Sequence, residues 1–326
     1  MKKIFTISGL QINKAQWNTD FDMFARRDSE GKIFSTDKSR KYSLRQELLN
    51  NGHKVLIRKH RDNNNNYLSL NNILKANNCV FKTKKSNKND DINTHNNLEM
   101  QKLFNNYIDL RLFGFIINPT GINFSEKGTV QLQYSNDIFS QPTEEIINDI
   151  TSFKTSGENN EPMTTIGKQT VIDIGFLNYT ITIEPNSYMS SFKNYNPDAS
   201  IDEISDNFNK DILNFKEALN TDVTNLNSSA KAGVTNLYNI HVTMKDNLSS
   251  LDKYLLGLVK VNKIDDLISI DFSNTLKSIS EVSDNIEKVE VVYSKGMEEN
   301  NILSLNGFIS ELKKFDFEVV TSDLFD

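Results

Sequence analysis

The side chains in this chain whose type and spacing could do chemistry are its lysines and arginines, because they are concentrated near one end. Residues 1–88 contain 19 Lys and Arg against 7 Asp and Glu, whereas the other residues contain 18 against 36. The formal charge of the whole chain is −6. A segment this basic within an acidic protein is typical of a face that binds phosphate groups. Chance segregation of charge among solvated loops is the alternative.

A predicted helix at Ser39–Asn51 contains three of these cations near its start. Ser39 or Ser43 can cap its free N–H groups, and Gly52 fits the position after a helix that favours positive φ. The helix dipole and the side-chain charges would then add at one place and bind an anion. An ordinary capped surface helix is the alternative. The three cations are Arg40, Lys41 and Arg45.

The loop that precedes this helix, at Gln16–Lys38, mixes cations with aromatic rings. This mixture suits a strand of RNA, since cations can contact phosphates while rings stack under bases. A loop that folds its rings under itself as a small core is the alternative. The side chains concerned are Trp17, Phe21, Phe24, Arg26, Arg27 and Lys32.

The sequence contains no motif that indicates catalysis. It has no nucleotide-binding loop, no Ser-His-Asp arrangement and no histidine-rich metal site. The one cysteine, Cys79, excludes a disulfide within the chain and a cysteine-based metal site, and the four histidines lack the spacing of metal ligands. We therefore expect neither a metal nor a cofactor, and we expect Cys79 to be a small packing residue.

Hydrophobic periodicity predicts an α+β chain, with a sheet covered by helices on one face. Lys2–Ala15 is predicted to be a strand with a bulge or close approach at Gly9. Residues 62–94 are rich in Asn and Lys and are predicted to form a surface insertion. Further predicted strands are His53–Arg61, Val171–Ile183, Tyr238–Met244, Leu267–Phe272, Val289–Tyr293 and Phe315–Val320. The predicted helices are Leu98–Tyr107, Thr143–Ile150, Asp198–Leu219, Thr275–Ile286 and Leu303–Lys314.

The central stretch Asp109–Tyr134 is predicted to form two strands joined by a loop at Asn118–Lys127. In its first half Asp109 and Arg111 stand two residues apart and are expected to pair. The phenylalanines that follow them are expected in the core rather than under a base. In its second half one face of the strand is predicted to be buried and the other face to be exposed to solvent. The residues on the buried face are Val130, Leu132 and Tyr134, and those on the wet face are Thr129, Gln131 and Gln133.

Four motifs of this chain resemble one family. They are Asp109-x-Arg-Leu-Phe-Gly114 followed by Gly128-x-Val-Gln131, Ser39-x-x-Tyr42-Ser-Leu-Arg45, Thr165-Ile-Gly-Lys-Gln-Thr-Val171, and Phe215-Lys-Glu-Ala-Leu219. The family is the backbone subunit of type I CRISPR surveillance complexes, or Cascade, within the RAMP superfamily, and the motifs resemble its I-B branch. The resemblance covers roughly residues 1 to 245, in the family's order.

The resemblance implies a ferredoxin-like, RRM-like core that forms a single domain over residues 1–326. It implies a finger- or web-like insertion at residues 59–106 and a thumb-like insertion at residues 136–170. It also implies that the chain oligomerises along a guide RNA (crRNA) and presents it for pairing with target DNA in antiviral defence. The implied partners are guide RNA, target DNA, other copies of the chain and other Cascade subunits.

Two further expectations concern location and catalysis. No stretch of 18 apolar residues and no signal peptide is visible, so we expect a soluble, cytoplasmic protein without a membrane partner. Related subunits of RNA-targeting CRISPR complexes cleave RNA with a loop aspartate and a divalent metal, for which the candidates are Asp20, Asp22 and Asp28. We expect no enzyme here, because cations surround these carboxylates and favour ion pairing.

The candidate RNA-binding residues follow from the loop, the predicted helix start and the motifs of the resembled family. They are Lys14, Arg26, Arg27, Ser39, Arg40, Lys41, Arg45, Gln131, Gln133, Lys168 and Lys231. Three alternatives to a Cascade backbone subunit stay open at this point. They are a metal-dependent endoribonuclease backbone subunit of an RNA-targeting CRISPR complex, an RNA-binding module outside CRISPR, and a structural oligomer without RNA.

Overall fold

The computed structural model describes residues 1–82, 89–119, 121–139, 144–151, 165–247, 259–264, 267–296 and 304–325. The strands are β1 (Ile4–Ala15), β2 (Phe34–Ser35), β3 (Gly114–Ile117), β4 (Phe124–Lys127), β5 (Val130–Leu132), β6 (Ser135–Asn136), β7 (Glu144–Thr151), β8 (Thr165–Ile183), β9 (Val234–Met244), β10 (Lys260–Ile264), β11 (Leu267–Asp271), β12 (Ile286–Tyr293) and β13 (Glu318–Asp323). The helices are α1 (Asp37–Asn50), α2 (Leu70–Ala76), α3 (Asn89–Asn106), α4 (Ile108–Phe113), α5 (Pro185–Tyr195), α6 (Ile201–Thr221), α7 (Ser273–Glu281) and α8 (Leu305–Leu312).

A seven-stranded sheet with β1 at its centre organises the described residues. Its order is β13-β12-β9-β1-β8-β5, and β7 also pairs with the start of β8. Only β12 and β13 run parallel to each other, since all the other neighbours in this sheet are antiparallel. Three smaller sheets, formed by β2 with β6, β3 with β4 and β10 with β11, lie outside it. The fold is therefore mixed, with one main sheet and helices.

Both faces of β1 are buried, since its side chains pack into two hydrophobic clusters. Leu10 and Ile12 belong to the cluster that contains side chains of α1 and α6. Phe5 and Ile7 belong to the other cluster, which contains side chains of α7 and α8. Helices thus cover both faces of the sheet, and the prediction of helices on one face was wrong. A strand buried on both sides loses the polar alternation that marks a one-sided sheet.

The predicted close approach at Gly9 is confirmed. The pairing of β1 with β9 shifts register between Gly9 and Leu10, which marks a bulge. A Cβ atom on Gly9 would lie 2.3 Å from ring carbons of Tyr238, which is fully buried and donates a hydrogen bond to Asn178. Glycine is required here because the ring occupies the space that any side chain would need.

The predicted strand at Asp109–Ile117 is wrong in its first half, which forms α4. Gly114 has a φ of +72° and ends this helix, after which the short strand β3 begins. β3 pairs with β4, whereas β5 pairs with β8, so the two halves of the stretch do not pair with each other. A short segment of six residues, in which apolar side chains flank one charge pair, fits a strand and a buried helix equally well, which explains the error.

The expected pairing of Asp109 with Arg111 is also wrong. Neighbours two apart on a helix point in different directions, and each residue finds a partner elsewhere. The Nε atom of Arg45 lies 3.3 Å from the Asp109 carboxylate. Arg111 binds Asp211 of α6 through two hydrogen bonds of 2.6 and 2.9 Å. Both motif residues therefore join segments that are far apart in the sequence.

Two other predicted elements differ from the structure. His53–Arg61 forms no strand, and two of its backbone N–H groups donate to the carboxylate of Asp109 instead. Thr143–Ile150 is predicted to be a helix, but β7 occupies this region and pairs with β8 from Glu144 to Thr151. Pairing with a neighbouring strand outweighs local preference in such a polar, β-branched segment. Residues 152–164, the centre of the predicted thumb-like insertion, lie outside the described residues.

Most of the remaining elements are confirmed. The predicted strand at Val171–Ile183, the helix at Asp198–Leu219 and the strand at Tyr238–Met244 correspond to β8, α6 and β9. The C-terminal alternation of strands and helices is present as β11, α7, β12, α8 and β13, whereas α5 was not predicted. The division into one core domain with insertions at residues 59–106 and 136–170 stays a prediction. No helix in the described part of the chain is long and apolar enough to cross a membrane.

Candidate nucleic-acid interface

The start of α1 is built differently from the predicted anion site. The helix begins at Asp37, and the residue before it, Thr36, makes no capping hydrogen bond through its side chain. Ser39 donates its hydroxyl to the carbonyl oxygen of Thr36 at 2.7 Å, and Ser43 donates to the carbonyl of Arg40 at 2.8 Å. Neither serine caps the helix, because the Ser39 hydroxyl donates to a carbonyl and the single proton of the Ser43 hydroxyl lies between that carbonyl and the Asp222 carboxylate, 2.6 Å away. The end of α1 is as predicted, since Gly52 has a φ of +84°.

Arg40 lies inside the core, out of reach of a strand on the surface, so its assignment to RNA was wrong. Its side chain is 0% exposed, and its Nη2 atom lies 2.9 Å from Oδ1 of Asp222. The guanidinium also contacts the hydroxyl of Ser8 and lies 5.3 Å from the centre of the Tyr179 ring. Burial raises the pKa of Asp222, and the charge of Arg40 and hydrogen bonds from its polar neighbours oppose that rise.

Three other predicted cations are engaged with carboxylates. Nζ of Lys41 lies 2.9 Å from Oδ2 of Asp37, one turn earlier on α1. Arg45 pairs with the buried Asp109, as described above, and its guanidinium lies 5.1 Å from the ring centre of Phe113. On β1, Nζ of Lys14 lies 2.8 Å from Oδ1 of Asp173 on β8. Because these charges are matched within the fold, they are weaker candidates for phosphate contacts than the sequence indicated.

Lys231 also has a partner inside the molecule. Its Nζ atom donates to the carbonyl oxygen of Gln16 at 2.7 Å and lies 5.0 Å from the ring centre of Trp17. Burial lowers the pKa of Lys231 to about 8. Lys168 lies on β8, and its side chain is outside the described residues. Its assignment to RNA stays a prediction.

The loop before α1 places its aromatic rings in two different environments, and its binding of RNA stays a prediction. Trp17 is buried, and its Nε1 donates to the hydroxyls of Ser35 at 2.9 Å and Tyr179 at 3.0 Å. Phe21 is 99% exposed and Phe24 is 41% exposed. The loop therefore places one ring in the core and leaves two rings in contact with solvent.

The cations of this loop remain at the surface. Among the described residues Arg26 has no ion-pair partner, and Arg27 donates from Nη1 to the carbonyl oxygen of Gly31 at 2.7 Å. The backbone of Arg26 accepts a hydrogen bond from the N–H of Phe34 at 2.9 Å. The backbone of Arg26 is thus held next to β2, and its side chain is half-buried, so it keeps access to solvent.

Tyr134 was missed as a surface residue because the strand pattern placed it on the buried face. β5 ends at Leu132, and the chain then turns so that Tyr134 is 62% exposed. Its ring stacks on that of Phe34, with centroids 6.3 Å apart and planes 21° apart. An exposed ring supported from below by a second ring is suited to stacking with a base.

The two glutamines of the central stretch have different environments. Gln131 is half-buried, and its Nε2 donates to the carbonyl oxygen of Gly128 at 2.5 Å. Gln133 is exposed beside Tyr134. Because β2 pairs with β6, the chain next to Tyr134 meets the loop before α1. We use the name loop surface for the exposed and half-buried cations, rings and amide of these two segments, which are Phe21, Phe24, Arg26, Arg27, Gln133 and Tyr134.

A cleft of about 560 Å³ lies beside the loop surface, between the loop and the chain that follows β6. Asp137 lies in its wall, is 8% exposed, and accepts hydrogen bonds through Oδ1 from the N–H groups of Phe139 at 2.8 Å and Phe176 at 3.0 Å. Burial raises the pKa of Asp137 to about 6, while the two hydrogen bonds and the charge of Arg27 oppose the rise. Burial thus moves the pKa of this carboxyl group well above that of a solvent-exposed aspartate.

The candidate catalytic carboxylates of the loop stabilise backbone turns by accepting hydrogen bonds from N–H groups. Asp20 accepts the N–H groups of Asp22 and Phe24, each at 2.9 Å. Asp28 accepts those of Glu30 and Lys32, also at 2.9 Å. Within the part of the chain that the structure describes, no group of three His, Cys, Asp or Glu side chains is placed to hold a metal ion.

We expect Arg40→Ala to lower the free energy of unfolding by about 3 kcal/mol or more, because it leaves the Asp222 carboxyl buried without its charged partner. Denaturant unfolding followed by circular dichroism measures this change. Lys38→Ala is the control, since Lys38 is exposed in the first turn of the same helix and lacks an ion pair among the described residues. This control should change stability by less than about 0.5 kcal/mol. Equal stabilities of the two variants would contradict a core role for Arg40.

The raised pKa of Asp137 predicts a pH dependence of stability. Its folded-state pKa of about 6 exceeds the unfolded value, so its stabilising contribution is present below about pH 4 and is lost as pH rises through 6. Asp137→Asn keeps an oxygen acceptor but does not titrate. Relative to this variant, the wild-type free energy of unfolding should fall by about 2 to 3 kcal/mol between pH 4 and pH 7.5. A difference that is constant with pH would show that the carboxyl titrates normally.

Comparison with known proteins places this geometry in context. A sequence model of one family, described as "CRISPR-associated protein Cas7", matches residues 2–289. The fold is similar to a chain of a solved "CRISPR RNA-guided surveillance complex, pre-nicking", with a TM-score of 0.53, 10% identity, and coverage of 89% of this chain and 92% of that chain. A chain of a "CRISPR RNA-guided surveillance complex" has a TM-score of 0.49 and 9% identity, and the match covers 89% of this chain and 88% of that chain. No curated protein sequence matches the chain.

The two kinds of match carry different weight. At 10% identity the likeness to a solved complex concerns the fold alone. The family match spans nearly all of the chain up to residue 289, including all four motifs recognised in the sequence. The chain belongs to the family of CRISPR-associated protein Cas7.

Proposed function

We propose that this chain is the backbone subunit of a CRISPR surveillance complex, and that it binds the guide RNA (crRNA). The family match over residues 2–289 is the observation that carries this proposal. Copies of the chain assemble along one guide RNA, alongside other Cascade subunits, and present the guide to target DNA. The I-B branch and a cytoplasmic location stay predictions, which rest on the motifs and on composition.

The order of the strands supports a ferredoxin-like core within the sheet. In the consecutive strands β9-β1-β8-β5 each neighbour is antiparallel, α1 follows β1, and α6 connects β8 to β9. Both helices pack into the same hydrophobic cluster. Two helices on one face of a sheet in which the first strand lies between the third and the fourth is the ferredoxin-like arrangement. β12 and β13 then extend this core by two strands.

The loop surface is the part of the described chain best suited to the guide. Arg26 and Arg27 supply positive charge, and Tyr134 supplies a supported ring. Charges of this kind contact phosphates and a ring stacks on any base, so binding would depend strongly on salt and little on base sequence. The alternatives of a non-CRISPR module and of an oligomer without RNA are disfavoured by the family match.

Guide binding is tested by measuring affinity for a short RNA as a function of salt. Tyr134→Ala should weaken binding by about 1 to 3 kcal/mol, the value of one base stacked on a ring. Arg26→Ala should reduce the slope of log affinity against log salt by about 0.7, the value of one phosphate contact on a single strand. Matched controls are Phe325→Ala and Lys210→Ala, which remove an exposed ring and an exposed cation elsewhere. A wild-type protein that binds no RNA would overturn the proposed function. If the wild-type protein binds RNA but Tyr134→Ala and Arg26→Ala behave like the controls, the RNA-binding site lies outside the loop surface.

We further propose that the subunit binds RNA without cutting it. The loop carboxylates Asp20 and Asp28 already accept backbone hydrogen bonds, which supports a role in shaping the loop. A lone carboxylate is also a poor magnesium site. Complexes assembled on a guide and incubated with labelled complementary RNA or DNA and Mg²⁺ or Mn²⁺ should therefore leave both strands intact. Regularly spaced fragments that disappear in Asp20→Ala or Asp28→Ala would contradict this proposal and favour the endoribonuclease alternative.

A further inference from the structure

A small hairpin at residues 57–67 lies on the surface between α1 and α2. Its two arms are joined by a bridge between Arg61 and Tyr67 and by a hydrogen bond from the N–H of Leu68 to the carbonyl of His60 at 2.9 Å. At its tip Asp62 accepts the N–H groups of Asn64 at 2.9 Å and Asn66 at 2.8 Å. The backbone of this exposed segment is thus fixed by its own hydrogen bonds.

The hairpin presents three cations to solvent. Arg58, Lys59 and Arg61 are exposed, and within the described residues they form no ion pair with a carboxylate. Asp62 is the only acidic residue of the segment, and its carboxylate is occupied by the turn. This distinguishes the three cations from Arg40 and the other predicted site residues that are paired within the fold.

Tyr67 holds two of these cations in place. The centre of the Arg61 guanidinium lies 4.3 Å from the Tyr67 ring centroid, and Nη2 of Arg61 donates to the tyrosine hydroxyl at 2.8 Å. Nη1 of Arg61 donates to the carbonyl oxygen of Asn65 at 2.7 Å. Nζ of Lys59 lies 5.5 Å from the same ring centroid. Cations held in this way lose less conformational entropy when they bind an anion.

The base of the hairpin is attached to the core by Asp109. This residue is fully buried, and its carboxylate accepts the N–H groups of Leu56 at 2.9 Å and Ile57 at 3.0 Å. It also pairs with Arg45 of α1. One side chain of the central motif therefore connects α4, α1 and the first residue of the hairpin.

We propose that the hairpin at residues 57–67 is a phosphodiester-binding site, in which Arg58, Lys59 and Arg61 contact the backbone of a nucleic-acid strand. The inference rests on the proposed function. Three neighbouring cations without acidic partners repel one another, and a polyanion relieves that repulsion and releases its own counterions. The same chemistry is supplied by the guide RNA and by a DNA strand paired to it, and the experiment distinguishes these two sources.

The test compares a triple variant of the hairpin with a matched control. The hairpin variant is Arg58→Ala, Lys59→Ala and Arg61→Ala. The control is Lys210→Ala, Lys277→Ala and Lys313→Ala, which removes three exposed charges on α6, on α7 and just after α8 that also lack an ion pair in the described parts of the chain. A second hairpin variant with glutamine at the three positions keeps long polar side chains, in case the alanine variant folds poorly.

Affinity is measured against salt in two arms, first for guide RNA alone and then for complementary DNA added to complexes assembled on the guide. Three lost phosphate contacts should reduce the slope of log affinity against log salt by about 2 in at least one arm, whereas the control keeps the wild-type slope. A change in the first arm assigns the hairpin to the guide, and a change only in the second arm assigns it to the paired DNA.

Two outcomes would overturn the inference. The first is an unchanged slope in both arms for the hairpin variants while the wild-type protein binds guide RNA. The second is loss of self-association in the absence of any nucleic acid, which would make the hairpin a contact between proteins. If the wild-type protein itself bound no guide RNA, the proposed function would fail, so the two failures are distinguishable.

Discussion

The buried ion pair between Arg40 and Asp222 is the interaction on which the packing of α1 and α6 against the main sheet depends. Arg40 comes from α1, Asp222 follows α6, and the pair contacts Ser8 of β1 and Asn236 of β9. Two charges without water need each other and several hydrogen bonds, because an unpaired charge in the interior costs several kcal/mol. This constraint fixes the two helices against the central strands, and it therefore fixes where the loop before α1 emerges.

Pairing of charges within the fold also explains where the cations of the basic N-terminal segment lie. Several of its cations pair with carboxylates from the acidic remainder, including Lys14 with Asp173 and Arg45 with Asp109. Charge segregation along the sequence thus partly encodes contacts within the fold. Among the described residues, Arg26 in the loop before α1 and Arg58, Lys59 and Arg61 on the hairpin at residues 57–67 form no ion pair with a carboxylate, so their charges are the ones available to a nucleic acid.

The two charged residues of the central motif, Asp109 and Arg111, join parts of the fold. Asp109, which is buried, attaches the hairpin, and Arg111, which is half-buried, binds Asp211 of α6, so both charged motif residues connect distant segments of the chain. The motif lies within the range that the family model matches. It does not indicate which surface would bind RNA, since residues held in such networks are unavailable to an outside partner.

The hydrophobic pattern of the sequence by itself was enough to predict the strand β1, the helix α6, the strands β8 and β9, and the alternating C-terminal elements. These segments are long and strongly periodic, and Gly9 and Gly52 were recognisable from backbone requirements alone. Only the tertiary structure decided that Ile108–Phe113 is helical, that β7 is a strand, and which cations are exposed. A cation has the same local sequence signal whether it meets water or a carboxylate, because its partner comes from a distant segment. Arg40 and Arg58 look alike in the sequence, and the packing of α1 against α6 separates them.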